Sequence, residues 1–257
     1  MSYSSAPIGV FDSGVGGISV LKELFHLMPN ENYIYLGDTK NAPYGSKTND
    51  EVFKLSSDCV NELIAMGVKA VVIACNTATS IAVNELRSKY SIPIIGIEPA
   101  VKPAVIAHPG GNVLVMATPV TLRNDKFLNL VNNYKKDANI IPLPCPGLVE
   151  IIEKGKGHDS ELSEYLKKLF EPYGTLKIDV IVLGCTHYPH VRNQIAKAFE
   201  QDAEIIDGAP GTARETQRQL TELGILNSPD KFGDICFIST LQNEKEIKIM
   251  KEFFENQ

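Results

Sequence analysis

The strongest constraint in this chain is its alternation of short, continuous apolar runs with amphipathic helical stretches. Nine runs read as strands: residues 8–11, 33–36, 71–74, 93–97, 113–116, 139–141, 180–183, 204–206 and 235–238. They are apolar throughout rather than at every second position, which suits strands buried on both faces of a parallel sheet. Between them lie helical stripes. Ile18, Leu21, Leu24, Phe25 and Met28 form one, Val52, Leu55, Cys59, Val60, Leu63 and Ile64 a second, and Leu162, Tyr165, Leu166, Leu169 and Phe170 a third. This alternation predicts βαβ units and an α/β fold. Nine strands are many for one sheet, and 257 residues suit one large domain or two small ones, so two sheets are expected. The Pro-rich stretches 96–103 and 142–146 are the candidate crossings or hinges.

A longer echo supports two halves. Residues 70–77 read AVVIACNT and residues 180–187 read VIVLGCTH. Each is an apolar strand that ends in a cysteine, followed by polar donors and an expected helix. In open α/β sheets, ligands sit beyond the carboxyl ends of the strands, which is where Cys75 and Cys185 fall.

Charge and cysteine usage narrow the class. Lys plus Arg is 25 against 31 Asp plus Glu, a net charge of −6 with no basic cluster, so a duplex nucleic-acid partner is not expected. No apolar run approaches the roughly 20 residues a spanning helix needs. The first residues, MSYSSAPIGVFDSG, lack the basic-then-apolar form of a signal peptide. Neither membrane insertion nor secretion is expected, and the cytoplasm is the expected compartment. The five cysteines, at 59, 75, 145, 185 and 236, are odd in number and scattered, which excludes a disulfide framework.

Cys75 and Cys185 carry the chemical signal. A thiol at a helix N-terminus is favoured as thiolate, the form that acts as base or nucleophile. Against this stands burial as a small hydrophobe, the usual fate of a free cysteine. Two cysteines in matching contexts weigh towards chemistry. Cys59, on a helical stripe, and Cys236, inside a strand, are expected in the core. Cys145 lies between prolines and carries no assignment.

Asp12 and Ser13 close the first strand before Gly14-Val15-Gly16-Gly17. This is not a dinucleotide fingerprint, because Ser19 stands where the third glycine belongs, and it lacks the Lys-Ser/Thr ending of a phosphate loop. It reads as a turn whose glycines let backbone N–H groups approach an anion. Asp12 is then a partner for a proton-transfer group or a substrate ammonium, or else a helix cap. Asp38, Pro43, Tyr44 and Gly45 lie in a polar loop after the second strand, where ligand contacts concentrate, though the spacing alone favours an ordinary turn. His187 can polarise Cys185 or shuttle a proton. Thr118, Thr121 and Glu150 are weaker candidates. A zinc site from Cys75, Cys185 and His187 lacks the usual ligand spacing, and no metal is expected.

Together, residues 8–17 (IGVFDSGVGG), Pro43-Tyr44-Gly45, residues 74–78 (ACNTA) and residues 183–187 (LGCTH) resemble the glutamate racemase family, within the aspartate/glutamate racemase superfamily. The motifs occur in family order and the likeness spans essentially the whole chain. It implies a cofactor-independent racemase that supplies D-glutamate for peptidoglycan. It implies two similar α/β domains, residues 1–97 with 208–257 and residues 98–207, with the active site in the cleft between them, and a homodimer is expected. The family's catalytic cysteines map to Cys75 and Cys185, assisted by Asp12 and His187. Its substrate contacts map to Asp12, Ser13, Tyr44, Gly45, Asn76, Thr77, Thr118, Thr121, Thr186 and His187. One departure stands out. The segment 143–150, LPCPGLVE, reads as shorter than the corresponding stretch of many members, with Glu150 as its carboxylate.

Three other readings stay open at this stage. Aspartate racemase or a related isomerase is the nearest. A non-catalytic amino-acid-binding protein would need neither thiol. A zinc-dependent enzyme would need the metal.

Overall fold

The computed structural model describes residues 3–154, 158–228 and 231–255, and each of the nine apolar runs is a strand. In chain order come β1 (Ile8–Asp12), α1 (Ile18–Leu27), β2 (Tyr33–Gly37), α2 (Asn49–Ala65), β3 (Ala70–Ile73), α3 (Asn76–Lys89) and β4 (Ile94–Gly96). Then follow α4 (Val101–Ala107), β5 (Asn112–Ala117), α5 (Pro119–Arg123), α6 (Asp125–Tyr134), β6 (Asn139–Pro144), α7 (Leu148–Glu153), α8 (Asp159–Phe170), β7 (Val180–Leu183), α9 (Arg192–Phe199) and β8 (Glu204–Asp207). Last come α10 (Ala209–Glu222), β9 (Ile235–Ser239) and α11 (Glu244–Glu255). The three helical stripes are α1, α2 and α8. Among the described residues, no helix is long and apolar enough to cross a membrane.

The chain divides into two compact units, one of Met1–Glu98 with Ala209–Gln257 and one of Pro99–Gly208. The first unit holds a parallel sheet in the order β4-β3-β1-β2-β9. Its faces separate by residue parity. Ile8 and Val10 pack with α1, α10 and α11, and Phe11 packs with α2 and α3. The second unit holds a parallel sheet in the order β6-β5-β7-β8. Leu114, Met116, Ile181 and Leu183 pack with α7, α8 and α9, whereas Val113, Val115, Val180 and Val182 pack with α4 and α6. Both central strands are therefore covered twice, which is why their sequences are apolar without alternation.

The two sheets share one winding. The chain steps from β1 to a neighbour on one side, β2, and then crosses to β3 on the other. It does the same from β5 to β6 and then to β7. Each sheet thus has a topological switch point, β1/β3 in one and β5/β7 in the other. Loops diverge there and leave a crevice at the strands' carboxyl ends.

Two of the expectations change, both at edge strands. The 96–103 stretch does contain the passage between units, after Glu98. The 142–146 stretch does not: Pro142 and Pro144 lie within β6, an edge strand, where a missing N–H is tolerated. Cys236 is in a strand as expected but is exposed, because β9 is also an edge. Cys59 is buried in α2.

Candidate active site

In the first unit, β1 and β3 deliver Asp12, Ser13 and Cys75 to the switch point. The ladder continues past β3, with the Ala74 N–H donating to Phe11 O at 2.8 Å, so Cys75 follows directly beside Asp12. Cys75 is the N-cap of α3, and its sulfur accepts the Ala78 N–H at 3.4 Å. A sulfur in that position feels the positive end of the helix dipole. The Ser13 hydroxyl stands 3.5 Å from the same sulfur.

Asp12 is fully buried and does not cap α1, whose N-cap is Gly17. Its carboxylate instead accepts the Gly14 N–H at 2.9 Å, so that amide, which the glycine-rich turn was expected to offer to an anion, is already engaged. Gly17 permits this arrangement. A Cβ there would lie 2.5 Å from the Asp12 Cβ and 2.9 Å from that of Ala74.

Asn76 and Thr77 open α3, both buried. Among the described residues, the Asn76 Oδ1 meets no hydrogen-bond partner. A buried, unpaired amide oxygen is costly, and natural structures keep such groups where a ligand or water completes them. Tyr44 is buried against Phe11, with ring centroids 6.2 Å apart, in the same apolar cluster as Cys75. Its hydroxyl donates to Asp38 at 2.6 Å. Burial first, then nearby negative charge including that of Asp38, pushes its titration far above the ordinary tyrosine range, so the phenol stays a donor. Pro43 and Gly45 flank it, half-buried. Asp38 and Tyr44 thus anchor the loop in the interior, while Lys40 and Ser46 are exposed.

In the second unit, the Gly184 N–H bonds Met116 O at 2.7 Å, and a Cβ at that glycine would meet the same oxygen at 2.8 Å. Gly184 thereby lets the chain leave β7 against β5 and present Cys185. Unlike Cys75, Cys185 is not followed directly by an α-helix. A 3-10 segment, Tyr188–Val191, precedes α9. Its electrostatic partner is a side chain instead. His187 Nδ1 faces the Cys185 sulfur at 3.9 Å, and His187 Nε2 meets Glu153 Oε1 at 2.9 Å. Burial alone would depress the imidazolium of His187. The hydrogen bonds to Cys185 and Glu153, with their negative charge, outweigh it and hold the ring well above the ordinary histidine range.

Glu153, not singled out by the sequence, is the carboxylate that meets His187. Glu150 is exposed in the first turn of α7, whereas Glu153, one turn on, reaches His187. The signal was the i, i+3 spacing of two glutamates on a short helix, which places both on one side. Cys145 is buried in the same cluster as Cys185 and Tyr188, and burial pushes its thiol up to about 12. Thr186 is buried in the turn after Cys185. Thr118 caps α5 by accepting the Thr121 N–H at 3.3 Å, and the two hydroxyls meet at 3.0 Å. Among the described residues, no group of three or more His, Cys, Asp or Glu side chains is arranged to hold a metal ion.

Two α/β units, each built on a parallel sheet with a buried cysteine and polar partners at its switch point, are a framework shared with the amino-acid racemases. The model of the Asp/Glu/Hydantoin racemase family matches residues 12–216. A glutamate racemase of Clostridium botulinum (strain Alaska E43 / Type E3) is 51% identical over 257 residues, 100% of both chains. A glutamate racemase isoform of Bacillus anthracis superposes with a TM-score of 0.86 at 30% identity, covering 96% of this chain and 92% of that one. The Francisella tularensis glutamate racemase, solved in complex with D-glutamate, gives 0.84 at 30% identity over 99% and 95%. The chain belongs to the Asp/Glu/Hydantoin racemase family, and its full-length likeness within it is to the glutamate racemases.

Proposed function

We propose that the chain interconverts L-glutamate and D-glutamate by proton transfer between two thiols, with no cofactor. One sulfur, as thiolate, removes the α-proton from one face. The other, as thiol, returns a proton to the opposite face, so each turnover exchanges their states. Cys75 acts on the D-isomer and Cys185 on the L-isomer. Asp12 assists Cys75. His187, oriented by Glu153, assists Cys185.

The carbanionic transition state needs donors already in place. Ser13, Asn76, Thr77, Thr186 and the Tyr44-Gly45 loop supply them, with Thr118 and Thr121 as further contacts. The Asn76 Oδ1 is an acceptor suited to the substrate ammonium. None of these residues is Arg or Lys, so neutral donors and helix N-termini bind the two carboxylates. The reading assigns one thiol to each domain, residues 1–97 with 208–257 and residues 98–207. It places the enzyme in the cytoplasm as a homodimer, supplying D-glutamate to peptidoglycan synthesis.

The observation that carries this reading is a buried cysteine at the switch point of each sheet, in a chain 51% identical over its full length to a glutamate racemase. The test is incubation with L-glutamate and L-aspartate, side by side, in deuterium oxide with no added cofactor. D-glutamate carrying deuterium at the α-carbon is expected. Faster turnover of aspartate would replace the substrate, and complete retention of protium would sink the two-thiol scheme.

A further inference from the structure

The first unit holds a buried polar cluster that the proton transfers do not use. At its centre is the Asp38 carboxylate, 1% exposed. It accepts the Tyr44 hydroxyl at 2.6 Å, the Asn41 Nδ2 at 2.9 and 3.1 Å, and the Thr240 hydroxyl at 2.7 Å. Thr240 arrives from 202 residues away, just past the end of β9.

That segment is fastened to the same loop by three further bonds. The Thr240 N–H donates to Gly37 O at 3.1 Å, the Lys40 N–H donates to the Thr240 hydroxyl at 3.1 Å, and the Thr39 and Ser239 hydroxyls meet at 2.6 Å. The Lys40 bond fills the acceptor side of the Thr240 hydroxyl and leaves its proton for Asp38. A β-branched side chain has few χ1 choices, so this hydroxyl is aimed rather than free to rotate away.

We propose that Thr240 is a positioning residue for Tyr44, holding the 38–46 loop in its substrate-contacting conformation through the Asp38 carboxylate. The inference rests on the reading of Tyr44 as a substrate contact. A buried carboxylate must keep its donors, because an unmet acceptor in a low-dielectric interior is far costlier than the bond is strong. Without the Thr240 hydroxyl, Asp38 Oδ1 keeps, among the described residues, only Asn41. The carboxylate then turns to recover a donor, and Tyr44, bonded to the other oxygen, moves with it. The C-terminal edge strand thereby sets the geometry of a loop near the start of the chain.

The test replaces Thr240 with Val, which keeps the shape and removes the hydroxyl, and with Ser, which restores it. T240A is the second variant, read in the same way if Val does not fold. Two readouts are taken: KM and kcat for L-glutamate, and backbone amide hydrogen exchange of residues 38–46 without substrate. The expected result for T240V is a roughly tenfold rise in KM, the scale of one hydrogen bond to a charged group, with kcat within about twofold. Exchange over 38–46 should quicken, and T240S should restore both. Unchanged exchange over 38–46 overturns the relay, whether or not the enzyme racemises glutamate. Faster exchange with unchanged KM also overturns it, leaving a purely structural bond. Faster exchange in a protein whose wild type is inactive on glutamate keeps the Thr240–Asp38–Tyr44 coupling and removes the reading of Tyr44 instead.

Discussion

Glu153 Oε1 lies 2.9 Å from His187 Nε2, and the opposite ring nitrogen faces the Cys185 sulfur. A carboxylate on one side of an imidazole fixes which nitrogen carries the proton and stabilises the charged ring. Replacing Glu153 with Gln keeps the shape and removes the charge. His187 then titrates lower, because burial is less opposed. The limb of the kcat/KM profile that follows His187 should shift to lower pH, and kcat should fall by about 10². Profiles measured with both enantiomers check this, and an unmoved profile would detach Glu153 from the reaction.

The same ring links stability to pH. Its folded-state affinity for a proton is raised above the unfolded value of 6.5. The native state therefore holds the proton more tightly, so the contribution is fully present below 6.5 and is lost as pH climbs through the folded-state value. Melting temperatures of the wild type and H187N, compared across that range, should converge as pH rises. A gap that widens with pH would reverse the sign and the assignment.

Cys75→Ala and Cys185→Ala should each lower racemisation of glutamate by at least about 10³, since neither face can be served by the other thiol. Circular dichroism of the folded protein should be unchanged, because each substitution removes only one small, buried sulfur. Full activity in either variant would eliminate that sulfur as a base.

Asn76→Leu separates binding from folding. It removes an amide oxygen that meets no partner, and so should leave stability equal or raise it by about 1 kcal/mol. The same change should raise KM for glutamate by roughly tenfold or more, the scale of a lost hydrogen bond to the substrate ammonium. Loss of stability with KM intact would show the oxygen to be structurally engaged.

Gly17 tests the packing beneath Asp12. Its backbone is ordinary helical, with φ −64°, so only contact opposes a side chain. Gly17→Ala puts a methyl carbon 2.5 Å from the Asp12 Cβ and should cost about 1–3 kcal/mol, with a matching loss of activity as Asp12 shifts. Urea unfolding and the racemisation assay read the two effects separately.

The strands were legible because both faces of each sheet are covered, which leaves an unbroken apolar run in the sequence. The motif residues were legible because the winding returns each cysteine to a strand end. Their placement at the switch points was not, since strand order depends on pairing between distant segments. Glu153 was passed over for Glu150 because which of the two meets His187 is decided by which turn of α7 faces the ring. Cys236 was read as core because an apolar strand does not declare itself an edge. Asp38 looked like a turn residue, and its partner Thr240 comes from the far end of the chain.

The interrupted first unit carries a consequence for synthesis. The second unit is one continuous stretch, Pro99–Gly208, and can close its sheet as it leaves the ribosome. The first sheet has four of its strands early but gains α10, β9 and α11 only from the final residues. Until then the face carrying Ile8, Val10, Tyr33 and Tyr35 lacks α10 and α11, and β2 stands as a bare edge. The nascent chain thus leaves part of this apolar face and the β2 edge uncovered until the last elements emerge, and truncations near the C-terminus should aggregate rather than merely lose activity.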